Sequence, residues 1–317
     1  MKFFAAIGKT DYIKINGYKR GIWEFLEHQP DGWLCSIAFN QAVIPHHSQI
    51  LWDCGAYTYR HLDVPMLGKN LVTPHWAIHQ YKKRSRSGDI IVAPDSLLLG
   101  KNLETRIRFN YESARQFIEL SKKLEGRIAM AVVHGVSIEA RIERALDLYN
   151  FGYRAIGIGG LVATASNKQY NTKIIKIITQ ELRQLPEPIW IHVFGLSSPA
   201  YARVFDDINI TSFDGASHFK EAFIAGSFFL IKGERLVKYK ASKPHENPTV
   251  PLCNCLCCQT LRRYGYETRS FGVWQNNLGR AVHNLNQLLI AQKNTENQNK
   301  SNYKQLSLII NDCISSA

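Results

Sequence analysis

Residues Gln49-Ile50-Leu51-Trp52-Asp53-Cys54-Gly55 form a short apolar run that ends on a carboxylate and then meets a glycine. Such a run, bounded by turn chemistry, suits a strand buried on both faces. The pattern recurs at Phe3–Ile7, Trp33–Phe39, Asp89–Pro94, Arg127–His134, Arg154–Ile158, Ile189–Phe194 and Asn209–Asp214, giving eight candidate strands. Amphipathic stretches lie between them at Leu103–Leu124, Ser137–Tyr149 and Thr172–Leu185. In the second, Ile138, Ile142, Ala145, Leu146 and Tyr149 fall at helical spacing, as core packing requires. Buried strands alternating with helices predict an α/β fold, a (β/α)8 TIM barrel, with a doubly wound open sheet as the competing arrangement. In a barrel the C-terminal strand ends converge on one face, and there stand Asp53, Asp95, His134, Gly159-Gly160 and Asp214.

The chain has 317 residues, 45% of them hydrophobic, enough for one large α/β core. No stretch reaches the length of a membrane span, and Met1–Gly8 is too short an apolar run for a signal peptide. Thirty-nine basic against 26 acidic residues leave a formal charge of +13. That excess points to a polyanionic partner, nucleic acid first, although charge alone does not separate DNA from RNA or from a membrane surface.

Four of the seven cysteines crowd into Cys253-Asn254-Cys255-Leu256-Cys257-Cys258. Cys253, Cys255 and Cys258 make a C-x-C-x-x-C cluster, and His283 follows about twenty-five residues later. Three thiolates and one imidazole close a tetrahedral Zn2+ shell, so the expected metal is structural; Cys257 is the substitute ligand. Cys35, Cys54 and Cys313 alone remain outside the cluster, as a reducing, cytoplasmic setting would have it. The organisation expected is a barrel over 1–227, a zinc module with its closing helix Leu278–Gln292 over 228–292, and a polar linker and tail over 293–317. Within the module, Ser227–Lys240 reads as a hairpin turning at Lys232-Gly233-Glu234, and Leu306–Ile314 as an apolar tail that docks back.

Asp53 and Asp214 each close an apolar run, where an unpaired charge is costly unless it has a partner or a task. Either alone is as readily a helix cap. Together with Asp95 on one face they favour chemistry: a carboxylate pair serves as nucleophile and acid/base in glycosyl transfer.

With these residues the chain resembles the tRNA-guanine transglycosylase superfamily, whose (β/α)8 barrels carry an inserted zinc subdomain of the kind at Cys253, Cys255, Cys258 and His283. Asp53-Cys54-Gly55-Ala56-Tyr57 is similar to the family's Asp-Ser-Gly-Gly-Phe motif, and Asp95 in Ala93-Pro94-Asp95 to its base-recognising Asp. Val132-Val133-His134-Gly135 resembles its Val-Gln-Gly segment, and Gly159-Gly160-Leu161 its Gly-Gly-Leu segment. His192-Val193-Phe194-Gly195-Leu196 resembles the motif before the last strand. Ser212-Phe213-Asp214 is similar to the Met-Phe-Asp that carries the nucleophile. The motifs run in family order from Asp53 to Leu289.

The resemblance implies Asp214 as nucleophile and Asp53 as acid/base. It implies Asp95, His134 and the Gly160 and Leu161 backbone as readers of the base edge, with Tyr57 stacked on it or packed in the core. Cys54 replaces Ser, His134 replaces Gln, and Gly215-Ala216-Ser217-His218 stands where the tRNA enzymes have Pro-Thr-Arg. No RNA-binding appendage is expected beyond the zinc module. The Gly55-Ala56-Tyr57 form after Asp53 looks more like the branch that inserts 7-deazaguanines into DNA, so DNA and a 7-deazaguanine base are the implied substrates. A tRNA-modifying enzyme and a catalytically inactive, zinc-stabilised nucleic-acid-binding protein are the alternatives. A metal-dependent hydrolase built on His134, His192 and Asp53 is weaker. A homodimer through the zinc region and a partner protein stay open. Lys82–Arg86 and Arg262-Arg263, with Tyr264 and Tyr266, are expected phosphate contacts.

Overall fold

The computed structural model describes residues 1–233, 235–243 and 246–315, with side chains through 294 other than those of 199, 200, 202 and 203. The chain divides into two compact units, Met1–Gly21 with Pro30–Ala216, and Ile22–Gln29 with Ser217–Ala317.

The first unit holds β1 (Lys2–Ile7), a hairpin of β2 (Tyr12–Ile15) and β3 (Tyr18–Gly21), β4 (Gly32–Ser36), β5 (Gln49–Asp53) and a short pair, β6 (Met66–Leu67) with β7 (Asn70–Leu71). Then come α1 (Pro74–Arg84), β8 (Ile90–Val92), α2 (Leu103–Ser121), β9 (Ile128–Val133), α3 (Ile138–Asn150), β10 (Ala155–Ile158), α4 (Lys168–Arg183), β11 (Trp190–Val193), α5 (Pro199–Asp207) and β12 (Ser212–Gly215). β1, β4, β5, β8, β9, β10, β11 and β12 form a closed parallel barrel. Closure is made by Phe4 pairing with Asp214 on β12, while Phe4 also pairs with Gly32 on β4. All eight expected strands are present and the open sheet is excluded. Two crossovers depart from the ideal pattern: β1 reaches β4, and β4 reaches β5, without an α-helix between them.

Alternate residues fill the barrel. Phe4, Leu51, Ile90, Val92, Met130, Val132 and Ala155 form its buried interior, with Leu34, Ile128, Trp190 and Phe194 packed against them. Burying a side chain of this size stabilises by about 1.5–3 kcal/mol. Two glycines make room for the large rings. A Cβ on Gly32 would stand 2.3 Å from the Phe4 ring, and one on Gly157 would stand 2.2 Å from Phe194.

The N-terminal strand ends are tied by Asp89, just before β8. Its carboxylate accepts the Ile50 N–H and the Trp52 indole N–H, both at 3.1 Å, and the Arg86 N–H at 2.9 Å. The Arg86 guanidinium donates to the carbonyls of His46 and Ser48. Lys82–Arg86 therefore closes α1 at the end of the barrel opposite the Asp53 face. A helix that follows a strand must run back down, which removes this stretch as a phosphate contact beside the site.

The second unit contains α6 (Ser217–Phe223), the hairpin of β13 (Ser227–Lys232) and β14 (Arg235–Lys240), α7 (Leu256–Arg263) and α8 (Trp274–Ser315). Expected turn residue Glu234 lies outside the described residues. Polar side chains of α8 line the β13 edge. Asn284 accepts the Phe229 N–H at 2.9 Å and donates to the Ser227 carbonyl at 3.0 Å, and Gln287 accepts the Ile231 N–H at 3.2 Å. α8 continues past the expected end at Gln292, and the expected linker at 293–304 is helical instead. Residues 293–315 contain no Gly or Pro to stop a helix. Docking of the Leu306–Ile314 tail concerns side chains outside the described residues. No helix among the described residues is long and apolar enough to cross a membrane.

Candidate functional site

Asp53 closes β5, and the Gly55 N–H donates to its Oδ2 at 2.8 Å. Gly55 has φ +94°, and a Cβ there would stand 2.8 Å from that of Ala38, so the turn beneath the carboxylate needs glycine. Burial pushes the Asp53 carboxyl up to about 7. The negative charges of Asp95 and Asp214 add to the rise, against hydrogen bonds from Gly55 and Ser36. A carboxyl poised there can both give and take a proton near neutrality.

Asp95 follows β8 and is buried. The Cys54 thiol donates to its Oδ1 at 2.9 Å, and His134 Nε2–H donates to its Oδ2 at 2.6 Å. Tyr59 O–H donates to the Asp95 carbonyl at 2.7 Å. Burial, with Asp95 and Asp53 close by, holds the Cys54 thiol pKa well above its ordinary value, which keeps it a donor. Cys54 and His134, which stand where the motifs this chain resembles have Ser and Gln, thus grip the same carboxylate.

His134, at the end of β9, lies against the paired glycines after β10. A Cβ on Gly159 would meet Val132 at 2.5 Å and the His134 ring at 2.9 Å. Gly160 has φ +74°. Arg141 on α3 donates to the Gly159 carbonyl at 2.9 Å and steadies the segment. Leu161 is buried, and its carbonyl accepts from Thr164 at 3.2 Å. Tyr57 is 53% exposed, which rules out core packing; the Arg60 guanidinium stacks 3.9 Å from its ring centre.

Asp214 ends β12 and is buried. Its Oδ1 accepts from the Gly195 N–H at 2.9 Å and from His192 Nε2–H at 3.2 Å. His192 Nδ1 lies 2.8 Å from Ser212 Oγ, which in turn accepts the Trp190 indole N–H at 2.6 Å. Ser212 and Trp190 are functional candidates that the sequence reading missed. Their signal was the period of two: Trp190 and His192 on β11, and Ser212 and Asp214 on β12, share the inward face. His134 and His192 each face a carboxylate, so the hydrolase metal site has no free imidazole pair to build on.

In the second unit the ligand atoms of Cys253, Cys255, Cys258 and His283 all lie within 4.8 Å of one another. His283 Nε2–H donates to the Phe229 carbonyl at 2.6 Å, which leaves Nδ1 facing the sulfurs, 3.0 Å from Cys258 and 3.8 Å from Cys255. The Phe228 ring stacks on the imidazole with centroids 4.1 Å apart. A Cys3His set whose imidazole is fixed through its second nitrogen fits a closed, structural zinc site. Cys257 is buried and is not part of the cluster. Arg262 donates to the Cys253 carbonyl at 2.8 Å and Tyr266 is buried, so of the expected phosphate contacts there these two serve the fold.

No family model matches the chain. It is similar to a DNA-guanine transglycosylase of Salmonella montevideo, 24% identical over 186 residues. The match takes in 57% of this chain and 43% of the relative, so it spans less than half the relative's length.

Proposed function

We propose, with membership of the transglycosylase superfamily as the premise, that this chain exchanges guanine in DNA for a 7-deazaguanine such as 7-cyano-7-deazaguanine. The observation that carries the reading is the convergence of Asp53, Asp95 and Asp214 on one barrel face, with the Asp53 carboxyl raised to about 7.

Asp214 attacks C1′ through its outer oxygen while Asp53 protonates the departing guanine, leaving an enzyme–sugar ester. The incoming base gives its N9 proton to Asp53, attacks C1′, and returns the electron pair to Asp214. Two displacements retain configuration at C1′. Asp95, held by Cys54 and His134, accepts hydrogen bonds from the N–H and amino edge of the base, with the Gly160 and Leu161 backbone beside it. Tyr57 and Arg60 offer a stacking surface for a nucleotide drawn out of its duplex. The zinc ion, held by Cys253, Cys255, Cys258 and His283, has a structural part in a cytoplasmic enzyme.

The test is incorporation of labelled guanine into duplex DNA, single-stranded DNA and tRNA, with Asp214→Ala as control. Label entering DNA, and lost in the variant, supports the reading. Label entering tRNA alone moves the substrate to RNA, and none in any nucleic acid overturns base exchange.

A further inference from the structure

Two hydrogen-bond donors meet a single oxygen of Asp214. Gly195 N–H and His192 Nε2–H both reach Oδ1, at 2.9 and 3.2 Å. His192 is fully buried, set in the barrel interior against Phe194, with ring centroids 4.3 Å apart. Behind it the order of donors is fixed by chemistry. The Trp190 indole only donates, so it occupies one lone pair of Ser212 Oγ. Nε2 faces a carboxylate and must carry hydrogen. In the neutral ring Nδ1 is then an acceptor, and the Ser212 hydroxyl donates to it.

We infer that His192 is a positioning residue for Asp214, and that with Gly195 it forms a donor pair for the departing carboxylate. The inference rests on the proposed role of Asp214 as nucleophile and deepens it. With Oδ1 held, attack falls to Oδ2, and Oδ1 becomes the carbonyl oxygen of the sugar ester. In the second displacement the C1′–Oδ2 bond breaks as the base N9–C1′ bond forms. The electron pair returns to the carboxylate and the N9 proton goes to Asp53. Negative charge reappears on Oδ1 opposite His192 and Gly195, as in an oxyanion hole placed for the leaving group. The same donors make the resting carboxylate a milder nucleophile. Their loss therefore shifts the balance toward the ester.

The experiment compares the wild type with His192→Phe, His192→Gln, Ser212→Ala and Asp214→Asn. It reads labelled-guanine exchange into DNA, together with the fraction of protein carrying a covalent oligonucleotide on a denaturing gel at fixed free guanine. His192→Phe is expected to exchange about 100-fold more slowly than the wild type, with a larger covalent fraction. His192→Gln, which keeps an N–H near the Nε2 position, recovers much of the rate. Ser212→Ala, the variant least disturbing to packing, is about tenfold slower with the same bias toward adduct. Wild-type rates in His192→Phe and Ser212→Ala, or slow exchange without a rise in adduct, overturn the inference while exchange lost in Asp214→Asn keeps the nucleophile assignment standing. No exchange by the wild type overturns both.

Discussion

His134 Nε2 lies 2.6 Å from Asp95 Oδ2, in a contact almost sealed from solvent, while Cys54 holds the other oxygen. Two of the positions where this chain departs from the motifs it resembles, Cys54 and His134, are thus coupled through one carboxylate. Asp95 is fixed from both sides, and under the proposed function the lone pairs left over are those offered to a base.

His134→Ala is expected to raise KM for the incoming base about tenfold or more, because a hydrogen bond to a buried charge is worth about 1.5–3 kcal/mol. His134→Gln restores much of the loss. Guanine-exchange kinetics with varied base and saturating DNA measure it, and an unchanged KM in His134→Ala removes the ring from base recognition.

Gly159→Ala keeps the imidazole but pushes it, since the new Cβ would stand 2.9 Å from the ring and 2.5 Å from Val132. Its KM should rise as in His134→Ala, and the double variant should cost little more than either single change. Full additivity would show that the glycine acts elsewhere.

If Asp53 is the acid/base of the proposed exchange, it is expected to set two opposite pH limbs around about 7. kcat/KM for DNA needs the protonated acid and falls above that pH; kcat/KM for the base needs the carboxylate and falls below it. Stability follows the same proton. A carboxyl whose pKa is raised on folding stabilises the native state below its unfolded value, and that contribution is lost as pH rises through about 7. Asp53→Asn should therefore melt higher than the wild type at pH 8, by on the order of 1–3 kcal/mol, with the gap narrowing toward pH 5. A constant gap across that range would place the raised pKa elsewhere.

Cys255→Ala is expected to lose bound zinc, read by metal analysis of the purified protein, and to lose soluble yield before intrinsic catalysis. Chelation of the wild type should lower its melting temperature. A stable, metal-free Cys255→Ala protein would refute a structural metal.

The barrel was legible because parallel strands covered on both faces must be apolar runs, and each run is closed by a polar residue or a glycine. Asp53 and Asp214 stood out by that rule, and Cys253–Cys258 with His283 by ligand spacing. Less visible were features that depend on partners far along the chain. Ile22–Phe25 belongs to the second compact unit although it interrupts the first in sequence. Ser212 and Trp190 look like ordinary strand residues until their strands pair. Basic residues misled: Lys82–Arg86 owes its place to the turn into Asp89, since charge does not reveal which end of a barrel it decorates.

His283 serves two masters. One nitrogen faces the thiols, and the other, with Asn284 and Gln287, occupies backbone groups along β13. A strand edge covered in this way is closed to pairing with another molecule, whereas a bare one invites it. A metal bound there would thus guard against self-association: by anchoring His283 it would keep the cover in place, and a metal-depleted population is expected to turn to aggregates joined strand to strand.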